Sequence, residues 1–323
     1  MKTKLSIIIP VYNGERCLKT SLESIKCRKP ENVELVFVND GSTDKTVEIL
    51  DNYQKDSFFC CKIIHQANQG VAAARNAALE AAGGEFLVFL DADDQLNDGA
   101  IDKVLSMTCS QADIIGWDWI SQMDGKNRPM RQAPYQSPEQ ALKNMMGGTM
   151  KWNLWLFAIK RALVTHNNIH FVQGADMGED MAFMLKAFSC AKEVKQFHEP
   201  IYCYNAANPA SISLQLNESR RAEVSRNLES VAAFLQTSPY AETCRRYLPH
   251  LKLFIKRPLL IGFSFDNYRL WHQWLPEANF YAMKNDALPL RVRILQRMAA
   301  DRLWLGVWAY NLLYRLFRRF LYW

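Results

Sequence analysis

The chain has 323 residues, 49% hydrophobic and 22% charged, which excludes wholesale disorder and collagen-like repeats and is enough to bury a sizeable core. Its formal net charge of +6 is uneven, because residues 241–323 carry 14 Lys and Arg against 5 Asp and Glu and leave the rest at −3. Eight cysteines without a C-x-x-C pair argue against a zinc cage or a disulfide framework, and so for a reducing compartment.

At the amino end Lys2 and Lys4 flank an apolar run, residues 5–9, that stops at Pro10 without a small-residue cleavage site. It reads as the first strand of a cytoplasmic protein rather than a secretory signal. No stretch reaches the roughly 20 uninterrupted apolar residues of a spanning helix. The longest candidate, residues 303–314, is bounded by Arg302 and Arg315.

Short β-rich runs at residues 5–9, 33–38, 62–65 and 86–90 alternate with helical patterns. The first helical pattern places Leu18, Leu22 and Ile25 on one face, the second carries Val47 and Leu50 behind Asp44, and the third is alanine-rich, over residues 71–82 between Gly70 and Gly83-Gly84. Such alternation predicts a parallel sheet with helices on its faces. Polar residues gather where ligands of open α/β sheets bind, beyond the carboxyl ends of the strands. These ends are Pro10-Val11-Tyr12-Asn13, Asn39-Asp40-Gly41-Ser42, residues 66–70 and Asp91-Ala92-Asp93-Asp94, and all four are expected to face one crevice.

From residue 98 to 143 the pattern weakens to one strand at residues 114–119, with turns expected at Asp124-Gly125 and Arg128-Pro129. A Trp-rich segment, a helix over residues 178–190 and a strand-and-loop segment over 201–213 follow, and helical patterns dominate beyond Asn217.

In extended backbone Asp91 and Asp93 point to the same side, so both carboxylates can meet one hard cation and leave positions open for phosphate oxygens. Asp40 opens a turn in which it either accepts a nucleobase N–H or merely shapes the turn, and Tyr12 offers a stacking face. Arg75, in the first turns of the helix after Gly70, is placed either to meet phosphate or simply at the surface. Glu179 and Asp180 are adjacent at a helix start, so their side chains should diverge. Trp152 and Trp155, at i and i+3, suit either a sugar-ring contact or the core. Asp118 faces either the site or solvent. The six histidines show no metal-ligand spacing.

Taken together, residues 6–13, 38–44, 68–76 and 89–94 in this order resemble the amino-terminal signature of family 2 glycosyltransferases with the GT-A fold. Gly178-Glu179-Asp180, the Tyr-x-Tyr segment at 202–204 and Ser211-Ile212-Ser213 resemble its later motifs. The resemblance implies an α/β fold of GT-A type, a Rossmann-like mixed sheet flanked by helices. It implies an inverting hexosyl- or N-acetylhexosaminyltransferase that uses a nucleotide-diphosphate sugar, usually UDP-linked, with Mn or Mg. Carried over, Pro10 and Tyr12 border the base, Asp40 binds it, Arg75 approaches the nucleotide or diphosphate region, Asp91 and Asp93 hold ribose and metal, and Asp180 is the general base. Glu179, Trp152 and Trp155 become acceptor contacts. Asn205 stands where the family usually has an arginine, which removes one cationic diphosphate clamp.

The expected organisation is a catalytic domain over residues 1–215, with a nucleotide-binding half up to about residue 95 and an acceptor-binding half from 96, then a helical region over 216–323. In its tail Leu303, Trp304, Val307, Trp308, Leu312, Leu316, Phe320 and Trp323 are spaced helically, with Arg315, Arg318 and Arg319 beside them. That pattern fits a helix lying in an anionic lipid interface; the alternative is packing against its own domain or another subunit. The expected partners are a nucleotide sugar, a glycan or lipid-linked glycan acceptor for surface polysaccharide or lipopolysaccharide, and the inner face of the plasma membrane. Nucleic acid is disfavoured, because the basic tail interleaves large apolar side chains. A sugar nucleotidyltransferase would need a Gly-rich basic phosphate loop that residues 10–14 lack, and a non-catalytic binding module would have no use for Glu179-Asp180.

Overall fold

Strands β1 (Leu5–Val11) and β2 (Val33–Asp40) are near-continuous runs of branched apolar residues, buried almost throughout as strands covered on both faces require. The computed structural model describes residues 3–123, 125–206 and 216–317, and the chain forms two compact units: Met1–Pro138 with Trp152–Pro239, and Glu139–Lys151 with Tyr240–Trp323.

The first unit is built on a nine-stranded mixed sheet. Beside β1 and β2 it contains β3 (Cys60–Gln66), β4 (Phe86–Phe89), β5 (Gln95–Leu96), β6 (Ile114–Met123), β7 (Lys126–Met130), β8 (Phe157–Lys160) and β9 (Val194–Asn205). The order is β3-β2-β1-β4-β8-β6-β9-β5, with β7 on β6. The strands β3, β2, β1 and β4 run parallel, β8 is antiparallel to both its neighbours, and β6 and β9 are parallel. The order in which strands are added reverses between the parallel strands β1 and β4, a switch point that opens a crevice at their carboxyl ends. Arg128-Pro129, expected to be a turn, lies within β7, where an edge strand tolerates proline.

Helices α1 (Leu18–Glu23), α2 (Thr46–Asp56), α3 (Val71–Ala81), α4 (Ala100–Met107) and α6 (Arg161–His166) connect the strands. Helix α7 (Glu179–Cys190) is buried over most of its length, and its Phe183 packs on Phe89 and Phe171. Helix α8 (Glu218–Leu235) belongs to this unit, not to the C-terminal region as the expected boundary at residue 216 had it. The reason is specific: the buried Asn227 amide donates to the carbonyls of Ala175 and Met177 just before α7, and Val224, Leu228 and Val231 are buried.

The second unit comprises α5 (Pro138–Met146), α9 (Ala241–Lys256), α10 (Phe265–Gln273), α11 (Leu290–Ala300) and α12 (Trp304–Phe317). Helix α5 comes from the middle of the chain and is held by Thr243 donating to Glu139, while Asn285 donates to the Gly147 carbonyl just beyond it. Lys256 is fully buried; its ammonium donates to the carbonyls of Trp274 and Leu275 and to Asn279 Oδ1, and lies 4.1 Å from the Trp271 ring centroid.

Helix α12 corrects the expected apolar face. Val307 is buried, Trp308 packs against Phe263, and Asn311 donates to the Leu260 carbonyl, so this side is turned inward. The outward stripe is Leu305, Ala309, Leu313 and Leu316, with Leu305 76% exposed. Phe320, Trp323, Arg318 and Arg319 lie outside the described residues. No helix of the described residues is long and apolar enough to cross a membrane.

Candidate active site

One turn into α3, Arg75 sits at the centre of a carboxylate cluster. Its Nη1 donates to Glu179 Oε1 (2.8 Å) and Asp180 Oδ1 (2.7 Å), and its Nη2 donates to Asp91 Oδ1 (3.1 Å). Phe171 lies beneath the guanidinium, 5.6 Å away. Burial opposes its charge, but Asp180, Asp91 and Glu179 outweigh that and raise its pKa further. The expected contact of Arg75 with a diphosphate is therefore corrected: the side chain is 4% exposed and its Nη atoms are spent on carboxylates. So is the expected divergence of Glu179 and Asp180, since both carboxylates reach the same Arg75 nitrogen.

Asp180 is held from both oxygens, by Arg75 on Oδ1 and by the Leu154 N–H on Oδ2 at 3.2 Å. Leu154 stands in a 3-10 turn, Leu154–Leu156, that feeds β8. Glu179 behaves differently. Burial and the neighbouring Asp180 charge push its carboxyl up to about 8 against the pull of Arg75, so it retains its proton near neutrality.

Asp91 follows β4. Its carboxyl is pushed up to about 6 by burial, with Arg75 opposing and the charges of Asp180 and Asp93 adding to the rise. Its N–H donates to Tyr202 Oη (3.1 Å), and the Tyr202 hydroxyl donates to Asp94 Oδ2 (2.8 Å). The Asn205 N–H donates to Asp94 Oδ1 (2.7 Å). Residue 205 thus acts through its backbone, and its side-chain amide also donates to the Asp93 carbonyl (3.4 Å). Asp94 is buried and pushed up to about 8 by burial and then by Asp91. It was missed as a positioning residue, although the Asp93-Asp94 pair was the available signal. Asp93 is half-buried and lines a cavity of about 180 Å³ with Arg16, Cys17, Thr20 and Gln95. The donor set suits a cation: the Asp91, Glu179 and Asp180 carboxyl groups gather around the Arg75 guanidinium, Asp93 is near enough for its charge to raise the Asp91 pKa, and the Asp91 side chain is still 31% exposed. Among the described residues no three His, Cys, Asp or Glu side chains are grouped so as to hold one metal ion.

Asp40, buried at the end of β2, accepts from Gln66 Nε2 (2.7 Å) and the Gln69 N–H (2.9 Å) on one oxygen and from the Gly70 N–H (2.9 Å) on the other. It fastens the loop that starts α3. Asp176 Oδ1 accepts the Ala72 N–H (2.9 Å) and caps that helix. Gly70, at φ +90°, is required here, because a Cβ would lie 1.9 Å from Asp176 Oδ2. The amino end of α3 is therefore filled by a carboxylate of the chain, not open to phosphate, and Asp176 carried no motif that marked it. The first two turns of α3 link Asp40, through Gly70, to Arg75 and so to Asp91 and Asp180. Pro10 and Tyr12 stand at the end of β1, Tyr12 54% exposed. Asn13 accepts the Thr43 N–H and donates its own N–H to Ser42 Oγ, joining the β1 and β2 loops.

Trp155 is corrected from acceptor contact to core. It is 4% exposed, stacked on Tyr202 at 4.4 Å and Tyr204 at 5.5 Å, and its carbonyl accepts from Trp117 Nε1. Trp152 is half-buried. Asp118 faces neither solvent nor the carboxylate cluster; it accepts the Gln132 N–H and pairs with His198. Ser211 and Ser213 lie outside the described residues.

Comparison with known proteins places the family and the fold. The family model "Glycosyl transferase family 2" matches residues 6–179. EpsJ of Bacillus subtilis (strain 168), an uncharacterized glycosyltransferase, is 30% identical over 217 residues, covering 65% of this chain and 62% of that protein. The poly(ribitol-phosphate) beta-N-acetylglucosaminyltransferase TarS of Staphylococcus aureus (strain Mu50) is 28% identical over 204 residues, 62% of this chain and 35% of TarS. In fold, the chain matches the crystal structure of S. aureus TarS 1–349 in complex with UDP-GlcNAc with a TM-score of 0.73, at 21% identity, over 97% of this chain and 92% of that one. The mixed sheet with its flanking helices is thus of GT-A type, and the chain belongs to glycosyl transferase family 2, as a glycosyltransferase.

Proposed function

We propose that this glycosyltransferase moves a sugar, with inversion, from a UDP-sugar to a hydroxyl of a surface-glycan acceptor, with Asp180 as general base. The observation that carries this reading is Asp180 itself, a carboxylate oriented by Arg75 and the Leu154 N–H beside Asp91. An acceptor hydroxyl is a weak nucleophile until its proton departs during attack, and a positioned carboxylate contributes on the order of 10² to 10⁴ in rate. Glu179, keeping its proton, leaves that role to Asp180. Tyr12 offers its ring to the base, and Asp40 orders the loop against which the base would lie. The relatives, a poly(ribitol-phosphate) beta-N-acetylglucosaminyltransferase and its complex with UDP-GlcNAc, support a UDP-N-acetylhexosamine donor.

Asp91 and Asp93 would hold Mn or Mg, whose charge would neutralise the diphosphate leaving group. The outward α12 stripe, with Arg315 exposed beside it and no acidic residue from 302 to 317, favours peripheral attachment to anionic lipid, at the inner face of the plasma membrane.

The test is UDP release from UDP-GlcNAc with Mn and a panel of glycan acceptors. Asp180→Asn is expected to lose transfer by about 10² or more while UDP binding persists, and chelation is expected to weaken donor binding. Undiminished turnover by Asp180→Asn would overturn the base assignment.

A further inference from the structure

We propose that one face of the β9-β6-β7 segment is an acceptor track for anionic glycans, in which Arg128 and Lys126 hold oxyanions of the acceptor chain. The inference rests on the transferase reading above and adds the chemistry of the acceptor.

The face follows from register. Tyr202 pairs with Trp119 and Trp119 with Met130; Tyr204 pairs with Ser121 and Ser121 with Arg128; Met123 pairs with Lys126. Residues opposite one another on neighbouring strands project to the same side, so these rows share one face. Trp155, stacked on both Tyr202 and Tyr204 and edge-on to Trp119, identifies it independently.

This face begins at the reacting groups. The Tyr202 hydroxyl touches Asp94 and the Asp91 N–H, and Leu154, next to Trp155, donates to Asp180. Two strands further on, about 10 Å from the Tyr204 row by ordinary strand spacing, stand Arg128 and Lys126. Both are exposed, as is Arg131 just beyond β7, and none of the three makes an ion pair or hydrogen bond among the described residues. Exposed Met123 and Met130 flank them. Asp124, in the intervening turn, lies outside the described residues.

Unpaired cations set apart from a carboxylate-rich centre suit a ligand whose charges are carried along its chain while its reacting end is a neutral hydroxyl. Anionic groups of the acceptor close to Asp180 would be repelled; the same groups two strands away meet a guanidinium fork that matches phosphodiester or carboxylate oxygens. The half-buried Tyr204 ring lies between, where an intervening sugar ring would pass.

The test uses the full chain and Lys126→Gln/Arg128→Gln/Arg131→Gln, whose exposed, unpartnered positions leave the fold intact. Binding is measured for a ribitol-phosphate oligomer, an oligogalacturonate and a neutral dextran oligomer, at low and high salt. The wild type is expected to bind at least one anionic oligomer more tightly than dextran, the triple variant to lose on the order of tenfold, and high salt to erase the difference; which anionic oligomer responds separates phosphodiester from carboxylate. Equal affinity of variant and wild type, a preference for dextran, or no anionic binding at all would overturn the proposal. So would loss of binding to phosphatidylglycerol vesicles in the variant with oligomer binding kept, which would assign the patch to lipid. UDP binding is titrated in parallel: a wild type that fails to bind UDP counts against the transferase reading, not against the track.

Discussion

Arg75 on α3 and Asp180 at the start of α7 are separated by 105 residues of chain and joined by a 2.7 Å ion pair. The same guanidinium also binds Glu179 and Asp91, so one side chain ties the strand end after β4 to the first turn of α7. Removing it leaves buried carboxylates facing one another. Arg75→Met is expected to destabilise the fold by about 3–5 kcal/mol, the cost of leaving buried charge uncompensated. Arg75→Lys should retain part of this, because an ammonium keeps the charge but lacks the fork. Urea unfolding of the three proteins checks the order, and equal midpoints for Met and wild type would contradict it.

Glu179 and Asp180 share an Arg75 nitrogen, and activity should separate them. With Glu179 pushed up to about 8, glutamine imitates the form it holds at neutral pH. Glu179→Gln is therefore expected to keep most of the transfer rate at pH 7 and to lack the decline that deprotonation of Glu179 produces above pH 8 in the wild type. A loss as deep as that of Asp180→Asn across the whole profile would move the base role to Glu179.

The buried Lys256 predicts a pH-dependent stability. Burial lowers its pKa from 10.5 to about 7, so between those values the unfolded chain binds more protons than the folded one and stability rises with pH. This unfavourable contribution is full below pH 7 and gone above pH 10.5. Lys256→Met should flatten the rise between pH 7 and 9 in thermal melts. It should also cost about 3 kcal/mol, because the oxygens of Trp274, Leu275 and Asn279 lose their donor.

On α12 the two faces predict opposite outcomes. Leu305→Glu/Leu313→Glu should abolish sedimentation with anionic vesicles while leaving UDP binding and the melting temperature unchanged, since both positions are exposed. Val307→Glu should instead lower the melting temperature, because it places a charge in a fully buried position. Vesicle binding that survives the Leu305 and Leu313 changes would remove the membrane assignment from this stripe.

The linear order of residues already determined the parallel β-strands, the strand-end motifs and the membership of the family. Periodicity and turn chemistry are local, and the spacing of Asp40, Asp91, Asp93 and Asp180 survives without a fold. What each polar group touches is not local. Arg75 was placed toward a phosphate because its neighbours in sequence suggested an open helix end, whereas Asp176, over 100 residues on, fills that end and three distant carboxylates claim the guanidinium. Trp155 and Val307 carry the same lesson for apolar residues: helical spacing tells which side chains share a face, but only packing against Tyr202, or against the rest of the second unit, decides whether that face looks inward. Helices α5 and α8 exchanged units for the same reason, since an amphipathic pattern states that a partner exists and the tertiary structure alone selects it.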